Sequence, residues 1–173
     1  MSNLRLINET SVSGSVNTLE IPYVFTSDFD IYKVVINNLD IAIANYMRLR
    51  FVNSSGSVIS ASNYDYAFLS MLANTTFAEG RSTNNVFISI NESQGSGTAD
   101  GTGLVFYVFN PFSSSSYTFV LNQSSTFTGT YNRNTKGIAV LKQTASMTGI
   151  NMFSASGNID DITIRTYGLR VDS

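Results

Sequence analysis

Apolar and polar residues alternate with a period of two along most of this 173-residue chain, the pattern of half-buried β-strands. The most regular run is residues 157–169, GNIDDITIRTYGL. Gly157 and Asn158 form a turn and the acids Asp160 and Asp161 follow. Then Ile162 and Ile164 point one way, and Thr163, Arg165 and Tyr167 the other. No pairing partner follows this run, so earlier strands are expected to flank it as the closing strand.

The same reading places strands at 4–9 and 16–21, with a turn at 11–14 between them and Pro22 ending the second. Residues 29–39, FDIYKVVINNL, are apolar on both faces at their centre and predict a middle strand buried on both sides. Residues 46–52, YMRLRFV, put Met47, Leu49 and Phe51 on one face and Arg48 and Arg50 on the other. A turn at 53–56 follows, with a partner strand starting at Val58 and Ile59. Further strands at 86–90, 104–109, 117–121, 127–131 and 138–143 have the even spacing of sandwiches and barrels, and 150–153 leads into the closing strand. Residues 63–73 leave two readings open. Tyr64, Phe68, Met71 and Leu72 have helical spacing, whereas Tyr64, Tyr66 and Phe68 alternate. No heptad, repeat or composition shift divides the chain. The expectation is one domain over 1–173, an all-β antiparallel sandwich of jelly-roll type with at most one short helix.

Composition narrows the chemistry. The length suffices for one buried core, and no apolar run approaches ~18 residues, so no membrane span is expected. The first residues, MSNLRLINETSVSG, lack a basic segment followed by an apolar one, and no secretory signal is expected. A net charge of −2 and only ten Lys and Arg predict no nucleic-acid partner. The chain has no Cys, His or Trp. Thiol nucleophiles, disulfides, Cys–Zn sites and Ser–His–Asp catalysis are thereby excluded. The 25 Ser, 17 Thr and 18 Asn set against 13% charged residues suit many turns and tight packing against a neighbouring subunit.

Candidate sites are correspondingly few. Paired carboxylates serve glycosidases, but Asp160 and Asp161 are adjacent on a strand and face apart, and Asp28 and Asp30 sit at a strand entrance where turns favour Asp. Asp100 and Asp160–Asp161 lack the spacing of a calcium loop. The stretch 95–103, GSGTADGTG, lacks the Gly-Lys-Ser/Thr ending of a phosphate loop and reads as a flexible hairpin tip. Asn-X-Ser/Thr sequons at Asn8, Asn53, Asn74, Asn91 and Asn122 match chance in so polar a chain. No catalytic residue, metal or cofactor is expected. Tyr64, Tyr66, Tyr117 and Tyr131, with Tyr107, are the candidates for stacking on a sugar or meeting a partner, against the plainer reading as core or sheet-face residues. Arg165 is read as an inter-strand ion pair with an acid such as Asp30 or Asp161.

FDIYKVVINNL, YMRLRF, VFNPFSSSSYTF, TGINMF and SGNIDDITIRTYGL, taken in order over nearly the whole chain, resemble small virion structural proteins of tailed bacteriophages, of marine-phage type. The ending in Tyr-Gly-Leu after an Ile/Thr/Arg strand is the most specific part. The resemblance implies a jelly-roll-like domain on the virion surface, made in the host cytoplasm, without catalytic residues. Its implied partners are other capsid or tail subunits and further copies of itself. A compact chain without shaft or linker favours capsid decoration. The alternative is a carbohydrate- or receptor-binding module of a tail or head fibre, with a host surface glycan as partner.

Overall fold

The structure, a computed structural model, describes residues 3–74 and 77–170. Among them are twelve strands and no helix. They are β1 (Leu4–Val16), β2 (Thr18–Ile21), β3 (Ile31–Ile41), β4 (Met47–Asn53), β5 (Tyr64–Leu72), β6 (Phe77–Asn85), β7 (Ile88–Ser89), β8 (Thr102–Phe109), β9 (Thr118–Phe127), β10 (Asn132–Leu141), β11 (Met147–Ser154) and β12 (Ile159–Leu169). Eight form one sheet in the order β1-β12-β3-β8-β9-β10-β5-β6, and four form the other in the order β2-β11-β4-β7. The ladders are antiparallel. The fold is an antiparallel β-sandwich of jelly-roll type.

The core lies where the small sheet covers the large one. Tyr32, Val34 and Ile36 of β3, Phe106 and Val108 of β8, and Ile162 and Ile164 of β12 face Leu49 and Phe51 of β4 and Ile150 and Met152 of β11. Every one of these residues is an alternate position of its strand, so the period-two reading of β4 and β12 gave the right faces. Phe25 packs edge-on against Tyr32 with ring centroids 4.8 Å apart, and the Tyr32 hydroxyl donates to the Thr26 carbonyl at 2.9 Å.

Several expectations are corrected. Residues 63–73 are strand β5, because β10 and β6 pair with both its edges and two ladders outweigh a four-residue coincidence of spacing. β3 is central, between β12 and β8, but Ile31, Lys33, Val35 and Asn37 are only half-buried, so it is covered on one side. The turn expected at 11–14 is absorbed into β1 by a register shift between Ser13 and Val16. Of the strand expected at 127–131 only Phe127 is strand, ending β9, and residues 128–131 form the β9–β10 turn, with Gly129 at φ 85°. Val58 forms only an isolated bridge with Val52.

The most unusual part of the interior lies under β9 and β10. Many of their inward positions are polar: Asn122, Ser124, Thr126, Arg133 and Thr135 are buried. Beneath them runs the segment 90–94, which belongs to no strand beyond an isolated bridge at Gln94. With Ile90, Asn91 and Gln94 buried and Glu92 and Ser93 half-buried, its carbonyls need partners that no strand ladder supplies. Asn122 donates to the Ile90 carbonyl at 2.8 Å, Arg133 to that of Glu92 at 3.0 Å, and Thr126 to that of Ser93 at 2.8 Å. Asn91 accepts from the Met47 amide at 2.6 Å and donates to Gln94 at 3.0 Å. Val120, Ala139 and Leu141 still face the core at one end of these strands, but along the part above segment 90–94 the inward positions are polar, and Phe119, Leu121, Phe127 and Ile138 stand outside.

Tyr64 ties the 53–63 connection to the core. Its hydroxyl accepts from the Phe51 amide at 3.0 Å and donates to the Ile59 carbonyl at 2.9 Å. Burial pushes this hydroxyl up to about 12 from an ordinary 10.0, against smaller opposing effects of the Phe51 amide and Arg50. Because the folded value is raised, the contribution is fully present below pH 10 and is lost as pH rises through about 12. Tyr64→Phe strands two buried backbone groups and is expected to cost about 1–3 kcal/mol in urea unfolding at neutral pH. The same variant should lose the ionisation near pH 12 from an alkaline absorbance titration.

Candidate functional site

The side chains with most chemical potential meet where β5 passes the edge of the small sheet. β4 alternates with Met47, Leu49 and Phe51 buried, so Arg48 and Arg50 project from the outer side of the small sheet. Phe87, just before β7, and Phe153 of β11 lie under them. The Arg48 guanidinium carbon sits 4.1 Å from the Phe87 ring centroid and that of Arg50 4.5 Å from Phe153. Each contact is worth about 0.5–2 kcal/mol. Arg50 is also held by its Nε donating to the Val86 carbonyl at 2.9 Å.

From Phe87 the row of rings continues onto β5. Phe87 and Tyr66 stack with centroids 6.4 Å apart, Tyr66 and Phe68 at 6.4 Å and 8° between planes, and Phe87 meets Phe153 edge-on at 6.2 Å. Gly80 on β6 lies opposite Phe68, and a Cβ there would fall inside the Phe68 ring. The missing side chain is what lets that ring lie flat across the strand. A groove of about 180 Å³ opens along this row, lined by Tyr46, Arg48, Tyr66, Phe68, Phe87, Ser89 and Glu92. One Glu92 carboxylate oxygen is buried there without a hydrogen bond, 3.8 Å from the Arg133 guanidinium. Burial raises the Tyr66 hydroxyl above its ordinary value, with Arg48 and a hydrogen bond to Ser82 acting against it.

Of the tyrosines singled out in the sequence, only Tyr66 lines this groove. Tyr64 is fully buried with both hydroxyl bonds made internally, so it contacts neither ligand nor partner. Tyr117 is exposed just before β9, and Tyr131 is half-buried in the turn at the far end of that strand, roughly 30 Å away at ~3.3 Å per residue. These residues therefore form no common site. Tyr107 lies on the outer face of the large sheet, between Lys33 and Leu121.

The acids do not converge either. Arg165 pairs with Glu9 of β1, with Nε donating to one carboxylate oxygen at 3.0 Å and a terminal nitrogen to the other at 3.1 Å, and not with Asp30 or Asp161. The expected ion pair is present, but the expected acids are replaced by the cross-strand neighbour. Among the described residues no three acids lie together to hold a metal ion. The loop 95–103 is a crossing between β7 and β8, not a hairpin tip. Asp100 accepts from the Gly97 amide at 3.0 Å, and the Gly95 amide donates to the Phe127 carbonyl at 2.8 Å. Asn91 and Asn122 are buried in the polar network and offer no glycosylation site. The Asn74 sequon extends outside the described residues.

The second notable surface is the outer face of the large sheet. Leu4, Leu6, Leu69, Met71, Phe77, Phe119, Leu121, Phe127 and Ile138 all stand exposed on it. Between β9, β10, β5 and β6 the face hollows into a trough of about 580 Å³ bordered by Phe119, Ile138, Val140 and Ala67, with Asp65 and Arg81 at its rim. Asp65 is held below the usual carboxylate range chiefly by its hydrogen bond with Lys142, an ion pair of 2.8 Å.

Compared by sequence, the chain matches no family model and no curated protein. Among solved structures it is similar to a fructofuranosidase from Schwanniomyces occidentalis complexed with fructosylnystose, at 8% identity and a TM-score of 0.26, over 95% of this chain and 34% of that one. It is also similar to infectious bursal disease virus structures of the Gx and Gt strains, each at 10% identity and a TM-score of 0.17, over 96% of this chain and 39% and 40% of theirs. The chain thus spans well under half of each of these proteins, and likenesses of this size carry no argument about what it does.

The row of rings makes a testable unit. Gly80→Ala should displace the Phe68 ring and break its stack on Tyr66, changing the near-ultraviolet circular dichroism while the far-ultraviolet spectrum is kept. An unchanged near-ultraviolet spectrum would show that the ring contacts are not ordered by the glycine.

Proposed function

We propose that the protein is a non-enzymatic structural component of a tailed-bacteriophage virion, displayed on the particle exterior as a capsid decoration subunit. The observation that carries the reading is the apolar outer face of the eight-stranded sheet. Soluble monomers rarely expose contiguous apolar area of this kind, and where it occurs it marks an interaction surface. The occupant we assign is a second copy of the chain. The charges on this face come in both signs, with Lys136 and Glu79 flanking Leu69, Lys142 paired with Asp65 and Arg165 with Glu9, so it can meet its own image without setting like charges against each other throughout. The likeness of its motifs to phage virion proteins supports the same reading, as does the lack of Cys and His for catalysis.

A second reading, a carbohydrate- or receptor-binding module of a tail or head fibre, is favoured by the groove of rings and guanidinium groups at Arg48 and Phe87. The two readings use opposite parts of the molecule and are compatible.

Sedimentation velocity is expected to show a concentration-dependent oligomer. Leu121→Asp combined with Ile138→Asp should shift it to monomer, weakening association by about 30-fold or more, with little change in circular dichroism. A wild-type chain that sediments as a monomer at every concentration would remove the self-association. Immunogold labelling of purified particles should decorate the head. Label confined to fibre tips would favour the second reading, and absence of label would contradict both.

A further inference from the structure

We infer that the groove beside Arg48 binds one acidic sugar ring, a uronate or a sialate, at the outer side of the small sheet. This deepens the carbohydrate reading and rests on it, and it does not depend on capsid decoration. Four observations converge. The rings of Tyr66 and Phe87 are half-buried, leaving part of each surface open, and Tyr46 stands 42% exposed at the mouth without a ring partner of its own. Sugar rings stack their apolar C–H faces on such surfaces. The volume of about 180 Å³ is below that of drug-sized pockets and suits a single ring.

The polar groups fit the same ligand. Arg48 makes no hydrogen bond or ion pair with any described residue, since the ion pairs present join Arg133 to Glu92, Lys142 to Asp65 and Arg165 to Glu9. Its planar N–H donors are nonetheless pre-oriented by the Phe87 ring beneath them, the arrangement that receives a carboxylate through two parallel bonds. Arg133 already balances the Glu92 charge, so Arg48 leaves the groove positive. That charge selects an acidic sugar over a neutral one.

The test is saturation-transfer NMR on the full chain with three probes: methyl β-glucuronide, the methyl glycoside of N-acetylneuraminic acid, and methyl β-glucoside. The expected result is transfer to ring protons of at least one acidic probe at millimolar concentration, several-fold weaker transfer to the neutral glucoside, and weakening with added salt. Arg48→Gln should lower affinity for the acidic probe by ~10-fold or more. Tyr46→Ala, which touches none of the ring contacts, should also weaken binding while leaving the melting temperature unchanged. No transfer to any probe, or transfer unaffected by both substitutions, would overturn the site. Self-association without sugar binding would remove this site alone, and sugar binding without particle label would keep it and remove the virion assignment.

Discussion

The structure depends on one short segment whose backbone has no ladder to join. Residues 90–94 run beneath β9 and β10 with Ile90, Asn91 and Gln94 buried and Glu92 and Ser93 half-buried, and no strand ladder satisfies their carbonyls. Each unmet group of this kind costs on the order of 1–3 kcal/mol, so the strands above must present donors. Asn122, Thr126 and Arg133 do so. A strand has only two faces, and with one committed to hydrogen bonding, the apolar residues between these positions are turned to the outside. Phe119, Leu121 and Ile138 are exposed because Asn122, Thr126 and Arg133 are needed within.

The two sides of the molecule follow from this arrangement. The outer face of the large sheet exposes Phe119, Leu121, Ile138, Leu69 and Met71 among charges of both signs, so it suits contact with another protein surface. On the outer side of the small sheet the guanidinium groups of Arg48 and Arg50 lie on Phe87 and Phe153, and a groove bordered by Arg48 and a row of rings opens toward solvent. A subunit that buries one side in an assembly and keeps the other open has the division of surfaces that a displayed virion protein requires.

Much of the fold was legible in the sequence, for a definable reason. Where one face of a strand is wholly apolar, as in β4 with Met47, Leu49 and Phe51 or β12 with Ile162 and Ile164, alternation gives both the strand and its orientation. In β9 it gives the strand but not the orientation. Phe119, Leu121 and Phe127 share one face, and by hydrophobicity alone that face belongs inside. The reversal depends on segment 90–94, about 30 residues earlier, which no local pattern connects to it. The groove was hidden for a similar reason, since its rings come from three separated stretches and only Tyr66 stood out as a surface tyrosine. Tyr64, two positions away and on the same face, looked equivalent and is wholly buried. The partner of Arg165 was misread because a strand's neighbours are set by topology: β12 lies beside β1, which brings Glu9 rather than Asp30 to it.

The most direct test of this account is the register of β9, read from nuclear Overhauser contacts in the folded protein. The side-chain amide protons of Asn122 should show cross-peaks to Ile90 and Asn91, and the Leu121 methyl groups should show them to Tyr107 and Ile138 on the outer face. Cross-peaks from the Leu121 methyl groups to Ile90 would place the apolar face inside, and the explanation of the exposed surface would then be wrong.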